Sequence, residues 1–275
     1  MYSKTSITVC LLTSSLFFSY SSMADTQLTF SDSTQVGTHS STIQIRADKV
    51  RMGSSNSKIY TIYDSNKQIL YTINPEVKQY MATTLESVKE NMRDAVAMRE
   101  ARLKKKSAQM SEEQRQALEE KLAETERKKQ AKPAKIETQA KNKTETVQGL
   151  TCKVFTVLSD GKPIKETCIA KQGIDTEDMA QLQTLFDFMK NVAEATAKIR
   201  NLPAPDAGLL PNYQGGLVIK AQALPDGAKS ELSKLSNDKL DAALFELPAT
   251  YSLRTPRAAA SKASPNTNNA SVEKN

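Results

Sequence analysis

Two cysteines and the turn between them constrain this chain more than any other feature. Leu150–Leu158 alternates apolar and polar positions and is rich in β-branched residues. Ser159–Gly161 is a turn cluster, and Lys162–Ala170 resumes the alternation. Such a pattern predicts a β-hairpin. A three-residue loop ending in glycine fits a type I turn whose last residue sits in the left-handed region as a bulge. Leu158 then pairs with Lys162, and Cys152 falls directly opposite Cys168. Opposed residues on antiparallel strands have Cα atoms about 4.5–5.5 Å apart, within the range of a disulfide. The expected bridge closes about 15 residues and contributes roughly 3 kcal/mol in the chain-entropy picture. Pro163, near the start of the second strand, predicts an edge position there. A redox or metal-binding pair is the competing reading, but the spacing is not C-x-x-C and His39 is the lone histidine.

A disulfide requires an oxidising compartment, and the N-terminus supplies a route to one. Lys4 is the only charge in the first 24 residues, an apolar run follows from Ile7 to Tyr20, and Ser22 and Ala24 flank Met23 before Asp25. A positive start, an apolar stretch and a small-x-small site make a secretory signal, cleaved after Ala24. The run is too short and too rich in Ser and Thr to span about 30 Å of hydrocarbon, which takes about 20 apolar residues. Cys10 leaves with the signal, and Val9 before it argues against lipoprotein processing. Cys152 and Cys168 are then exported to where disulfides persist. The expected location is the periplasm, with an extracellular one as the alternative and no transmembrane segment in the mature chain.

The mature chain divides by period. Asp25 to Met81 is strand-like. Within it Lys58–Asp64 and Lys67–Asn74 read as a hairpin across Ser65 and Asn66, with Tyr60 opposite Tyr71, Ile62 opposite Ile69, and Ile73 on the same face. One buried face suits an antiparallel sheet. From Leu85 the period becomes helical through Val88, Met92, Ala95 and Val96, a stretch that can cover the sheet. A second helix opens at a capping box, Ser111 with Gln114, carries a thin coiled-coil-like seam of Leu118 and Leu122, and ends at Lys132 and Pro133. Residues 99–143 read as an inserted, charged helical arm. Asp175 caps a third helix running to about Arg200. Met179, Leu182, Leu185, Phe186, Met189, Val192 and Ala193 stripe it, and Phe188 widens the stripe, which must be buried against something. Residues 202–216 read as loop, and Leu217–Ala223 and Glu231–Ser236 as strands. The segment 255–275 is Ala/Ser/Asn/Pro-rich without period and reads as a disordered tail. The expected unit is therefore one sheet-plus-helix domain over 25–254, interrupted by the arm.

The charge is as uneven as the periodicity. The 275-residue chain carries a formal +7. Residues 99–143 hold 14 Lys/Arg against 8 Asp/Glu, so the arm alone carries +6. The segment from Arg254 adds +3, which leaves the sheet-bearing part acidic. The basic balance thus belongs to appendages. The arm has no aromatic residues on which to stack bases, so nucleic acid is not an expected partner. An anionic envelope surface or an envelope protein is, against the plainer reading of a solvated mixed-charge helix.

Several short segments together resemble a known family. They are Asp48–Met52, Ile62–Asp64, Asn74 with Pro75, Tyr80, Val147–Cys152, Asp160–Lys162, Glu166–Ala170 and Leu244–Tyr251. In this order, after a signal, they resemble the bacterial exported domain-of-unknown-function family DUF 4412, placed near the lipoprotein-carrier (LolA/LolB-like) superfamily. The chain departs from that family at Cys168, where many relatives carry an aromatic residue, and in the length and charge of the arm. The resemblance implies an α+β fold: a curved antiparallel β-sheet, an incomplete barrel, with covering helices. In lipoprotein carriers the concave face holds acyl chains. The candidate apolar pocket here is Met52, Tyr60, Ile62, Ile69, Tyr71 and Ile73 on the sheet, with Met92, Val96, Leu182, Phe186 and Met189 on the helices. A filled core would use the same residues.

The sequence predicts no enzyme. His39 cannot serve a Ser-His or Cys-His pair without a partner in view, and no zinc-ligand spacing, G-x-S-x-G, phosphate loop or H-E-x-x-H occurs. No catalytic residues, metal or cofactor are expected. The expectation is a non-enzymatic periplasmic binding protein for a lipid, acyl chain or apolar segment. The alternative is an interaction or scaffold protein that docks through the arm.

Overall fold

Short alternating segments separated by two- to four-residue turns fold as a meander, because each strand's nearest partner is the one it has just left. The computed structural model describes residues 25–129, 135–199, 216–225 and 227–254. The expected signal at 1–24, the expected helix stop at Lys132 and Pro133, and the stretches 202–215 and 255–275 read as loop and tail lie outside those residues. The strands are β1 (Thr26–Thr34), β2 (Gly37–Arg46), β3 (Lys49–Ser54), β4 (Ser57–Asp64), β5 (Ile69–Asn74) and β6 (Gln79–Thr83). After helices α1 (Leu85–Ser107) and α2 (Glu112–Lys129) come β7 (Ile136–Val147), β8 (Leu150–Ser159) and β9 (Lys162–Ala170). Helix α3 (Thr176–Ile199) precedes β10 (Leu217–Ala223) and β11 (Lys229–Ser236), and a 3-10 turn (Ala242–Phe245) precedes β12 (Ser252–Leu253).

These make one open sheet of twelve strands in the order β12-β6-β5-β4-β3-β2-β1-β11-β10-β9-β8-β7. Every pairing is antiparallel except that of β12 with β6. The β1–β11 pairing joins the N-terminal meander to the disulfide-bearing half. The sheet is not a closed barrel: β7 and β12 are its edges. With three α-helices among the described residues, the architecture is α+β and mostly sheet.

One face carries the main core. Ile45, Val50, Tyr63 and Leu70 follow one another across β2–β5, with Ile43 and Met52 beside them. Helix α3 covers this face with Leu182, Leu185 and Phe188. The Phe188 ring meets Tyr63 at a centroid distance of 5.3 Å, and the Tyr63 hydroxyl donates to the Thr184 carbonyl at 3.4 Å. The expected cap holds: Asp175 accepts from the Glu177 amide at 2.8 Å. Of the striped residues, Phe186 and Met189 are only half-buried at the margin, while Phe188 is in the core.

Helix α1 does not lie on the sheet. Its Thr84–Ser87 capping box is complete, yet none of its residues is buried, and it packs along α3. Leu85, Val88, Met92 and Val96 form a stripe too narrow for more than one neighbour. Ser111 and Gln114 cap α2 reciprocally, as expected. The arm, however, is helical only through Lys129 among its described residues. From Ile136 it is strand β7, whose charged residues sit on an exposed sheet edge.

Both predicted hairpins form with altered registers. Asp160 and Gly161 both have positive φ (49° and 77°), so the turn is a two-residue type I′ loop closed by Ser159 and Lys162. A bulge then shifts the ladder between Val157 and Leu158, so Cys152 pairs with Ala170 and Cys168 with Val154. The cysteines are bridged on the diagonal rather than directly opposed. β9 is an interior strand, but β10 pairs with it only as far as Lys165, which leaves Pro163 beyond the ladder that its missing N–H would break. In the β4–β5 hairpin the loop is Ser65–Gln68, not Ser65 and Asn66, because Asp64 accepts from the Lys67 amide (3.0 Å) and ammonium (2.8 Å) and pulls the chain into a longer turn. Tyr60 therefore faces Ile73, and Ile62 faces Tyr71.

Candidate functional site

A two-residue slip preserves which side chains share a face, so Tyr60, Ile62, Ile69, Tyr71 and Ile73 do lie together. They lie on the face opposite α3. Arg51, Ile62 and Tyr71 pair in sequence across β3–β5, and Tyr60, Ile73 and Tyr80 across β4–β6. The eleven predicted pocket residues are thus divided. Met52, Leu182, Phe186 and Met189 belong to the α3 side, and Met92 and Val96 are half-buried on α1. The five aromatic and aliphatic residues form a separate reverse face. The sheet itself separates the two sets.

The cover of the reverse face is the C-terminal segment Leu240–Arg254. At its start the Leu240 amide donates to Asp25 Oδ2 at 2.6 Å, and Arg46 donates to the Leu240 carbonyl while pairing with Asp25 at 3.3 Å. Asp241 caps the 3-10 turn by accepting from the Ala243 amide at 3.0 Å. The turn delivers Phe245, which is 4% exposed. The segment then reaches β6, where Ser252 and Arg254 donate to the Lys78 and Tyr80 carbonyls at 3.1 and 2.8 Å. It acts as a strap, tied at both ends and lying over apolar residues between.

Two hollows flank the strap. One, of about 200 Å³, has Ile62, Tyr71, Phe245 and Leu247 with Lys49, Asp64 and Lys67 at its edge. The other, of about 370 Å³, has Tyr60, Leu244, Leu247 and Pro248 with Arg51. Each joins an apolar lining to charges of both signs, Glu246 lying at both hollows. Burial pushes the Asp64 carboxyl up, but the two Lys67 bonds outweigh it and hold the group below the usual carboxylate range. Burial raises the Tyr60 phenol, with the Arg51 guanidinium 4.4 Å from the ring centroid opposing the rise. Arg51 is itself placed by Gln44 at 2.8 Å. A larger, more open hollow of about 610 Å³ lies beside the disulfide, against Leu150, Cys152 and Ile169.

Sequence reasoning did not assign Phe245, Leu247, Arg51, Arg46 or Asp25 to the site. The segment Leu244–Tyr251 was visible as a motif, but it has no helical or strand period from which a role could be read. Among the described residues no group of His, Cys, Asp and Glu is arranged to hold a metal ion, and no helix is long and apolar enough to cross a membrane. No family profile matches this chain, and no curated protein matches it.

Proposed function

We propose that this is an exported, non-enzymatic binding protein whose reverse sheet face takes an acyl chain or an apolar polypeptide segment. The observation that carries the reading is the strap: an apolar stretch of polypeptide occupies this face, anchored by Phe245 over Ile62 and Tyr71. The two hollows total more than the roughly 300 Å³ at which ligand pockets begin, and displacement of the strap would join them into one groove. At the margins Lys49, Lys67 and Arg51 stand against Asp64 and Glu246, so the lining favours a ligand by its apolar body rather than by an end of one charge. The periplasm is the compartment this reading requires, and the resemblance to DUF 4412 and the lipoprotein carriers points to the same ligand class. The α3 side is packed with core residues, so the binding face proposed here is the opposite one.

The test is native mass spectrometry, with organic extraction, of protein purified from a periplasm without detergent. A co-purifying lipid or peptide of defined mass that is lost in Ile62→Asp supports the reading. A clean apo mass for the wild type, with no acyl-chain or apolar-peptide binding on titration, overturns it. The runner-up is docking of an envelope protein or anionic surface through the basic arm. It is favoured by the exposure of α2, where only Leu118 and Leu122 are half-buried among the side chains described. Deletion of α2 without change in localisation or binding would remove it.

A further inference from the structure

The strap is tied unequally at its two ends. At the root, Leu240 is held by charged groups: Asp25 accepts from its amide at 2.6 Å, and Arg46 donates to its carbonyl. Hydrogen bonds to charged partners are the stronger kind. At the tip, two neutral main-chain bonds tie Ser252 and Arg254 to the Lys78 and Tyr80 carbonyls. Of residues 240–254, Phe245 alone is buried. Leu244 and Leu253 are 36% and 52% exposed, and the two hollows meet at Leu247. The strap fills its face incompletely, and its tip is the part most easily lifted. The edge beneath the tip is also used incompletely. β6 runs Gln79–Thr83, but β12 pairs only with Gln79 and Tyr80, in parallel register. Alternate residues of a strand turn their N–H and C=O groups to the same edge. Ala82 therefore presents its pair on the side of Lys78 and Tyr80, past the end of β12, and Met81 beside it is 38% exposed.

We propose that the occupant of the reverse face is an extended apolar polypeptide segment of another protein, which lifts the strap tip and pairs with β6 along its full length. This rests on the reverse face being a binding face, and it chooses between the two ligand classes named for that face. Lifting the tip frees the Lys78 and Tyr80 carbonyls. An acyl chain fills apolar space but has no N–H to give them. An extended peptide has one at every second residue, the means by which a segment adds itself to a sheet edge. A segment longer than β12 also reaches the Ala82 groups. One large apolar side chain takes the seat of Phe245, and the hollows make room for its neighbours. The root stays tied by Asp25 and Arg46, so the displaced tip remains close and competes for its place at high local concentration.

The probe is a synthetic peptide of the tip itself, residues 244–254 followed by two valines. It is labelled at its N-terminus and titrated by fluorescence anisotropy against the full chain carrying Phe245→Ala. Binding should be about tenfold tighter than to the wild type, whose own tip competes. Methylation of the peptide nitrogens at Ser252 and Arg254 removes both donors and should weaken binding by roughly tenfold or more. Bound peptide should slow hydrogen exchange at the Ala82 amide. If Phe245→Ala does not fold, Asp241→Ala takes its place, since it loosens the same segment by removing the cap of the 3-10 turn. Equal affinities of the methylated and unmethylated peptides overturn the proposal. So does a fluorescent fatty acid that binds the loosened variant, and is lost when Ile62→Asp is added, while the peptide does not bind. That outcome leaves the reverse face as a ligand site. Absence of binding by both probes removes the reading of the face itself, and the proposal with it.

Discussion

Cys152 and Cys168 lie two pairs apart on the β8–β9 ladder, and their bridge crosses on the diagonal with a Cα–Cα distance of 5.3 Å. Both residues are buried in the main core, so the bridge ties β8 to β9 from within it. Its sequence separation of 16 residues gives a chain-entropy contribution of about 3 kcal/mol. For a domain of this size that corresponds to roughly 6–12 °C. Cys152→Ser with Cys168→Ser should lower the thermal midpoint by that amount, and dithiothreitol should lower the wild type but leave the double variant unchanged.

Phe188 and Phe186 lie two residues apart in α3 with different fates. Phe188 is inside the core against Tyr63, and Phe186 is half-buried at the margin of α3. Phe188→Ala should cost about 3–5 kcal/mol, the range for a fully buried ring, and Phe186→Ala clearly less. Urea denaturation of the two variants checks this, and equal losses would show that α3 is rotated from the orientation described.

Parity explains how much of this fold the sequence reveals. Alternation assigns Tyr60, Ile62, Ile69, Tyr71 and Ile73 to one face whatever the register, because a slip of two residues keeps every side chain on its side. Alternation alone does not say which face α3 covers. In β3–β5 both faces are apolar, with Val50, Tyr63 and Leu70 on one and Ile62, Tyr71 and Ile73 on the other. The cover of the second face comes from Leu240–Arg254, whose contacts are made by a cap, a 3-10 turn and two backbone bonds to β6. None of those leaves a period in the sequence. The disulfide is legible from the hairpin, but its register is not, since Asp160 and Gly161 form a tighter turn and a bulge intervenes. Helix α1 was legible as a helix and not as a neighbour of α3, because a narrow stripe does not name its partner.

Glu145 lies between two lysines, bonded to Lys143 at 2.7 Å and Lys220 at 2.6 Å. Those bonds hold its carboxyl at about 2, against an ordinary 4.5. A depressed folded value stabilises the protein above pH 4.5 and is lost as pH falls toward 2. Glu145→Gln should therefore lower stability at neutral pH by on the order of 1 kcal/mol, since the group is partly solvated. It should also flatten the acid limb between pH 4.5 and 2. Acid titration followed by circular dichroism checks the slope. An unchanged limb would mean that the Lys143–Glu145–Lys220 cluster is too well screened to matter.

Phe245 anchors the strap without being part of the α3-side core, and that separation makes its removal informative. Truncation to alanine takes away the ring that closes the face between Ile62 and Tyr71, while the backbone bonds of Ser252 and Arg254 to β6 and of Leu240 to Asp25 remain. Phe245→Ala should cost about 3–4 kcal/mol if the strap stays tied and the cavity persists. It should cost less if the strap shifts to fill the space. Either response exposes apolar surface on the reverse face, so binding of an environment-sensitive dye or a fluorescent fatty acid should rise several-fold over wild type. Asp241→Ala, which removes the cap of the 3-10 turn and typically costs about 1 kcal/mol, should shift dye binding the same way by a smaller amount. Dye binding that rises in Phe188→Ala but not in Phe245→Ala would place the accessible apolar surface on the α3 side and would remove the strap face as the ligand site.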